Sequence, residues 1–180
     1  MVKSPWKTIS SQTTTHDRFT ITNDEVELSN QEMRNFSYIN FADGICVLAI
    51  TREEKVLVLD QYRHAVQSWE LEFPAGMIDA NEEPEKAAER ELLEETGYQS
   101  NLWTSLGKFY PSPGSTSETI HLFLANDCYK VSEPTLEASE EIELKLVPVE
   151  KFFDLVQNES FKHGAGLACW GKYLSFSYKN

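Results

Sequence analysis

The chain has 180 residues, of which 41% are hydrophobic and 12% aromatic, enough for one compact domain with at most a small appended piece. Its 29 acidic residues outnumber its 16 Lys and Arg residues, which gives a formal net charge of −13. That charge argues against nucleic acid or an anionic membrane as a partner, because both need a basic surface. No run of about 18 apolar residues occurs and the first residues lack the apolar segment of a signal peptide, so we expect a soluble, cytoplasmic protein.

The three cysteines, Cys46, Cys128 and Cys169, are odd in number and far apart in the chain. Their spacing fits neither a zinc site nor a disulfide framework. We therefore expect buried free thiols in a reducing compartment.

The first forty residues predict a small β subdomain. Residues 1–16 are polar, rich in Ser and Thr, and show no clear periodicity. Residues 18–22 and 25–28 alternate in polarity around Asn23 and Asp24, which predicts a β-hairpin. Residues 36–41 could add another short strand.

Residues 44–51 and 55–62 are apolar runs, which are typical of strands buried on both faces. Residues 127–139 are expected to form an exposed acidic loop. Further strands and two C-terminal helices follow from shorter patterns: strands at 69–73, 102–110, 119–126 and 141–147, and helices at 150–158 and 166–178.

Residues 76–98, which read GMIDANEEPEKAAERELLEETGY, carry most of the chemistry in this chain. Residues 83–96 within them are compatible with a helix. Asn81 or Asp79 can cap its start, and Gly97 is a natural C-terminal stop.

Three glutamates crowd one side of this predicted helix. At about 100° per residue, Glu91 and Glu95 lie about 40° apart, with Glu94 about 60° to the other side. Leu92 and Leu93 occupy the opposite sector and are expected to face the core. Like charges this close destabilise an isolated helix, and hard oxygen ligands at this spacing suit Mg²⁺ or Mn²⁺.

The remaining charged residues of this helix have other expected roles. Arg90 is interpreted as a cation that fixes a ligating carboxylate. The other acidic residues are expected to form a solvated face: Glu82, Glu83, Glu85 and Glu89.

Three segments outside the helix bear on the substrate. Arg63 ends a buried strand and is either a surface arginine or a diphosphate clamp, for which its fork of donors is suited. Glu72 and Ala75 lead into the helix stretch, and the backbone carbonyl of Ala75 can serve as a hard metal ligand. Residues 112–118 (SPGSTSE) form either a simple turn or a mobile loop that delivers Glu118 as a general base.

Residues 76–98 resemble the Nudix box, the signature of the Nudix hydrolases. Tyr98 is the one departure, since the family usually has an aliphatic residue there. The match holds at every fixed position: Gly76, Glu82, Arg90, Glu91, Glu94, Glu95 and Gly97.

The resemblance extends to the ADP-ribose pyrophosphatase branch of that family over roughly residues 44–147. Residues 61–63 (QYR) and 72–76 (EFPAG) are similar to segments of this branch. The branch also has a proline about fifteen residues past the box, as Pro113 is here, and a Ser-Pro-Gly loop followed by a glutamate, which corresponds to Glu118.

This resemblance implies an α/β fold, the Nudix-fold α/β/α sandwich with a mixed sheet. Residues 1–40 would be an N-terminal β subdomain and residues 41–180 the hydrolase domain. It further implies a homodimer in which the N-terminal subdomains exchange between partners.

The resemblance also implies a set of site residues. By this resemblance, the metal ligands would be the Ala75 carbonyl, Glu91 and Glu95, and Glu94 would bind a further metal ion. The residues in contact with the substrate would be Arg63, Glu72 and Gly114. The catalytic residues would be Glu118, Glu94 and Arg90.

The expected reaction is hydrolysis of ADP-ribose to AMP and ribose 5-phosphate with Mg²⁺ or Mn²⁺. One alternative is another sugar nucleotide such as GDP-mannose, because contacts to the base and sugar are not legible in the sequence. A second alternative is a catalytically silent ADP-ribose sensor, against which the complete set of carboxylates argues.

Overall fold

The computed structural model describes residues 4–178. They form two compact units: residues 4–42 with Tyr110–Thr119, and Asp43–Phe109 with residues 120–178. The division drawn from the sequence at residue 40 assigns residues 110–119 to the hydrolase domain instead, and that division stays a prediction.

The first unit contains a three-stranded antiparallel sheet in the order β1-β2-β3. Its strands are β1 (Lys7–His16), β2 (Phe19–Glu27) and β3 (Met33–Asn40). Because β2 is one continuous strand, the predicted turn at Asn23 and Asp24 is wrong. The chain instead turns next to Asp17, whose φ of 41° is left-handed.

Strand β1 covers most of the stretch for which the sequence predicted no regular structure. All ten of its residues are exposed, so no buried face leaves an alternation of apolar and polar residues. Threonine is enriched in strands because its branched side chain fits a pleated surface. The threonines of β1 were therefore the only indication of a strand in its sequence, and this indication is weaker than an alternating pattern.

The second unit is built around a mixed sheet in which β10 runs parallel to β4 and the other described pairings are antiparallel. The predicted acidic loop at 127–139 begins later, because residues 127–130 belong to β10. The strands are β4 (Gly44–Thr51), β5 (Lys55–Arg63), β6 (Ser68–Glu72), β7 (Ala75–Met77), β8 (Tyr98–Gln99), β9 (Leu102–Phe109), β10 (Ile120–Lys130) and β11 (Ile142–Pro148).

Three helices complete the second unit: α1 (Pro84–Thr96), α2 (Val149–Gln157) and α3 (Gly164–Ser177). The two C-terminal helices therefore form where the sequence predicts them, each starting slightly earlier. None of the helices described within residues 4–178 combines the length and apolar character needed to cross a membrane.

Strand β4 lies between two helical layers. Its odd-numbered residues, such as Val47, pack with Ala87, Ala88 and Leu92 of α1. Its even-numbered residues, such as Leu48, pack with residues of α2 and α3. Successive side chains of a strand point to opposite faces, which explains why a strand covered on both sides is a continuous apolar run. The predicted α/β/α sandwich is confirmed.

The start of α1 differs from the prediction. Glu83 occupies the N-cap position and no side chain caps the helix, so the predicted caps at Asn81 and Asp79 are wrong. Asn81 has a left-handed φ of 69° and belongs to the turn before the helix. Pro84 occupies the first turn, where its missing N–H costs no hydrogen bond.

The end of α1 is at Gly97, as predicted. Its φ is 73°, and its N–H donates to the Leu93 carbonyl oxygen at 2.8 Å. A Cβ at this position would lie 2.1 Å from the Ser132 carbonyl oxygen, so both conformation and space require glycine.

All three cysteines are buried and free, as predicted. Burial raises the pKa of the Cys46 thiol, and it raises the pKa of Cys128 to about 12. Neutral, buried thiols of this kind are poor nucleophiles.

The orientation of α1 gives a first testable prediction. Leu92 is fully buried beneath β4, whereas Leu93 is 38% exposed, so the expectation that both face the core is wrong for Leu93. We expect Leu92→Ala to lower the free energy of unfolding by about 2–5 kcal/mol. Leu93→Ala, the matched control, should lower it by no more than about 1 kcal/mol. Urea denaturation measures both, and equal losses would contradict this orientation.

Candidate active site

Two glutamates of α1 lie against neighbouring residues of β7. Glu95 is only 2% exposed, and its Oε2 accepts a hydrogen bond from the Ala75 N–H at 3.0 Å. The Glu91 carboxylate lies beside Gly76, where an added Cβ would be 2.1 Å from Oε1. A side chain at position 76 would therefore force the Glu91 carboxylate to move from its present place.

This pair of carboxylates is electrostatically costly. Burial, followed by the charge of Glu91, raises the pKa of Glu95 well above its usual range. Burial also raises the pKa of Glu91, and the neighbouring Arg90 acts in the opposite direction. Buried carboxylates remain charged only when a cation or several donors compensate them. Hard oxygen donors beside a space kept open by glycine fit the divalent ion that the resemblance implies.

Glu94, the third predicted glutamate, differs from this pair. It is only partly buried and accepts a hydrogen bond from Arg90 Nη1 at 3.2 Å. Within residues 4–178, no three His, Cys, Asp or Glu side chains are grouped closely enough to enclose a metal ion. Glu91 and Glu95 therefore lie next to β7, the strand that contains the Ala75 carbonyl, and the predicted metal-binding roles of all four residues stay predictions.

Arg90 connects the carboxylates around α1. Its Nη1 donates to Glu91 Oε1 at 2.7 Å, and its Nη2 donates to the Met77 carbonyl oxygen at 3.1 Å. Its Nε and Nη2 hold both oxygens of Glu82, at 2.9 and 2.8 Å. These contacts fix the guanidinium beside Glu91.

The expectation that Glu82 belongs to a solvated face is wrong. Its side chain is 17% exposed, and the hydrogen bonds from Arg90 lower the pKa of its carboxyl to about 2. Glu82 precedes α1, so helical periodicity could not place it. Glu83 and Glu85 are exposed, as expected, and Glu89 forms an ion pair with Lys86 at 2.6 Å.

Arg63 and Glu72 form a bidentate ion pair across the β5–β6 hairpin. Arg63 Nε donates to Oε1 at 2.8 Å and Nη2 donates to Oε2 at 2.6 Å. Hydrogen bonding to Glu72 raises the pKa of Arg63, whose side chain remains 42% exposed. The two predicted substrate contacts are thus partners of each other, with Glu72 on the buried side.

Glu140 also acts electrostatically on this region, and the sequence analysis did not identify it as a candidate. Its charge contributes to the raised pKa values of Glu91, Glu95 and Arg63, so it lies in their electrostatic neighbourhood. The backbone beside it is tied to β5, since the Glu141 carbonyl accepts from the Tyr62 N–H at 3.1 Å. The acidic run that ends where β11 begins was the available signal.

Gly114 and Glu118 belong to Tyr110–Thr119, which is part of the first unit. This segment is hydrogen-bonded to β3, because the Ile39 N–H donates to the Ser115 carbonyl oxygen at 2.9 Å. A Cβ at Gly114 would meet no heavy atom within 4 Å, so packing does not require glycine there. The predicted roles of both residues stay predictions.

Comparison with known proteins identifies the family. The NUDIX domain model matches residues 40–166, so the chain belongs to the Nudix family. It is 35% identical over 136 residues to the ADP-ribose pyrophosphatase of Bacillus subtilis (strain 168), covering 75% of this chain and 74% of that protein. It is 34% identical over 126 residues to the GDP-mannose pyrophosphatase of Cronobacter sakazakii, covering 64% of each.

A solved structure confirms the fold. A crystal structure of an ADP compounds hydrolase superposes with a TM-score of 0.84 at 23% identity, over 96% of this chain and 94% of that one. The chain is therefore a Nudix diphosphate hydrolase, and the predicted resemblance to the ADP-ribose pyrophosphatase branch is confirmed. Nudix hydrolases use divalent metal ions, which agrees with the chemistry of the Glu91 and Glu95 pair.

The close approach at Gly76 gives a second prediction. Gly76→Ala should displace the Glu91 carboxylate and weaken Mn²⁺ binding by about tenfold or more, as measured by isothermal titration calorimetry. Gly171→Ala is the matched control, because a Cβ at that position of α3 meets no heavy atom within 4 Å. Unchanged Mn²⁺ affinity in folded Gly76→Ala protein would show that the Glu91 carboxylate does not belong to the metal site.

Proposed function

We propose that this enzyme hydrolyses ADP-ribose to AMP and ribose 5-phosphate with Mg²⁺, or Mn²⁺, as its ion. The observation that carries the proposal is the placement of the Glu91 and Glu95 carboxylates beside Gly76 and Ala75, where a divalent ion would offset their charge. Similarity to the Bacillus subtilis ADP-ribose pyrophosphatase supports the choice of substrate. The proposal includes a cytoplasmic location, as expected from the sequence, and a homodimer, as the resemblance implies.

In this proposal, the ion would be held by Glu91, Glu95 and the Ala75 carbonyl, with Glu94 contacting a further ion. A bound divalent ion neutralises charge on a diphosphate and makes water a stronger acid. The chain supplies the geometry: the Ala75 N–H orients Glu95, and Arg90 orients Glu91. Holding these ligands in place before the substrate arrives reduces the reorganisation needed during the reaction.

Arg63 is the proposed contact for the diphosphate. The net charge of −13 would repel an anionic substrate, so local cations must offset it. Glu72 holds the guanidinium in one plane through two hydrogen bonds, while 42% of the Arg63 side chain remains exposed. A guanidinium fixed in this way keeps donors available for phosphate oxygens.

Two glutamates are candidates for accepting the proton from the attacking water. Glu118 is proposed from its place in the Ser-Pro-Gly loop. Glu140 is the second candidate, because its charge acts on both Glu91 and Glu95.

Paired variants distinguish these two glutamates. Loss of the proton acceptor should lower kcat by about 10²–10⁴-fold while leaving Mn²⁺ affinity unchanged, since a general base acts on the water. Glu118→Gln and Glu140→Gln are measured side by side for kcat and for Mn²⁺ binding. The variant that loses kcat alone identifies the base, and parallel loss of rate and metal affinity would instead make that residue a ligand.

Hydrolysis of a substrate panel with Mg²⁺ tests the proposed function. The panel contains ADP-ribose, ADP-glucose, GDP-mannose, NADH, diadenosine polyphosphates and nucleoside triphosphates. We expect the highest kcat/KM for ADP-ribose, with AMP released. Glu95→Gln is the control, because it removes a charge at nearly constant volume and should abolish turnover in a folded protein.

Two other outcomes of the panel have a clear meaning. Preference for GDP-mannose would overturn the choice of ADP-ribose while keeping the Nudix hydrolase, and similarity to the Cronobacter sakazakii enzyme makes it the second candidate. ADP-ribose binding without turnover of any substrate would instead favour the sensor.

A further inference from the structure

The connection between α2 and α3 contacts β6 at two neighbouring positions. Lys162 Nζ donates to Glu70 Oε1 at 2.9 Å, near the surface. The next residue, His163, is 15% exposed and lies against Glu72 and Phe73. Two adjacent residues of one segment therefore contact β6 just before the chain enters the Nudix box.

The hydrogen bond of His163 determines which ring nitrogen carries its proton. The Phe73 N–H donates to His163 Nδ1 at 3.3 Å, so Nδ1 is an acceptor. Burial lowers the pKa of His163, which favours the neutral ring. In a neutral imidazole with Nδ1 as acceptor, the proton is on Nε2.

The protonated Nε2 faces the Arg63–Glu72 ion pair. Nε2 lies 3.6 Å from Glu72 Oε2, longer than a direct hydrogen bond. That same oxygen accepts from Arg63 Nη2 at 2.6 Å. An N–H at this distance attracts Oε2 and so limits how the carboxylate can rotate or withdraw. The guanidinium follows the carboxylate because two hydrogen bonds join them.

We propose that His163 is a positioning residue for Arg63, acting through Glu72. The α2–α3 connection thereby controls how firmly the enzyme holds the anionic part of its substrate. The proposal rests on the proposed function in one respect, namely that Arg63 contacts the diphosphate.

The kinetic test separates the two contacts of His163. His163→Asn keeps an acceptor near the Nδ1 position but removes the donor that faces Glu72, whereas the longer amide of His163→Gln can reach the Nε2 position. We expect His163→Asn to raise KM by about three- to tenfold with kcat changed by less than about twofold, the size of one weakened polar contact. His163→Gln should restore most of the loss.

Lys162→Met is the matched control. It breaks the neighbouring contact between the same two segments without touching Glu72 or Arg63, so KM should stay at the wild-type value. A rise in KM equal to that of His163→Asn would overturn the proposal, because general anchoring of the segment would then explain both.

A double-mutant cycle tests whether the effect passes through Arg63. In an Arg63→Ala background, His163→Asn should produce no further rise in KM, since the group that it positions is absent. A further rise of the same factor in that background would overturn the proposal. A lowered Tm for His163→Asn with unchanged KM would also overturn it and leave a purely structural role.

Nuclear magnetic resonance provides a readout that does not depend on substrate. The Nε–H signal of Arg63, assigned by its loss in Arg63→Lys, should broaden in His163→Asn and stay sharp in Lys162→Met. If Arg63→Ala leaves KM unchanged while this broadening occurs, the proposed substrate role of Arg63 fails and the positioning by His163 stands. If Arg63→Ala raises KM while the Arg63 signal stays sharp in His163→Asn, the positioning by His163 fails and the proposed substrate role of Arg63 stands.

Discussion

The structure of the candidate site depends on the burial of Glu95 against the Ala75 N–H. Moving a carboxylate out of water is expensive, and one backbone hydrogen bond does not compensate for it. The packing of α1 on β4 supplies what is missing, because fully buried Ala87 and Ala88 allow the helix to approach the sheet closely. Stability contributed by an apolar interface thus maintains a charged site that a divalent ion can then neutralise.

A second set of contacts organises the cationic side of the site. Arg90 and Arg63 are each held by a bidentate glutamate, so neither guanidinium is left to move as a flexible surface side chain. Rigid cations matter more in a chain with a net charge of −13, where a diffuse positive field cannot attract the substrate. In both pairs the carboxylate is the more buried member, and it holds the arginine side chain in one orientation.

Several expectations from the sequence were wrong because periodicity says which residues share a face but not which neighbours cover that face. Leu93 is apolar and helical, yet no element covers it fully, so it is 38% exposed. Glu82 is acidic and outside the helix, yet Arg90 reaches back to it across the preceding turn. The polar strand β1 gave no alternation because none of its residues is buried.

The sequence by itself determined the family, the sandwich fold, a helix that ends at Gly97 and the glutamates on it, because glycine positions and 3.6-residue spacing are local properties of the chain. Only the tertiary structure decided which carboxylates are buried and what each arginine contacts. It placed His163 beside Glu72 at a distance of 3.6 Å, and it brought Arg90 Nη2 to the Met77 carbonyl oxygen at 3.1 Å. Such contacts join residues far apart in sequence, and only the packing of helices on the sheet brings them together.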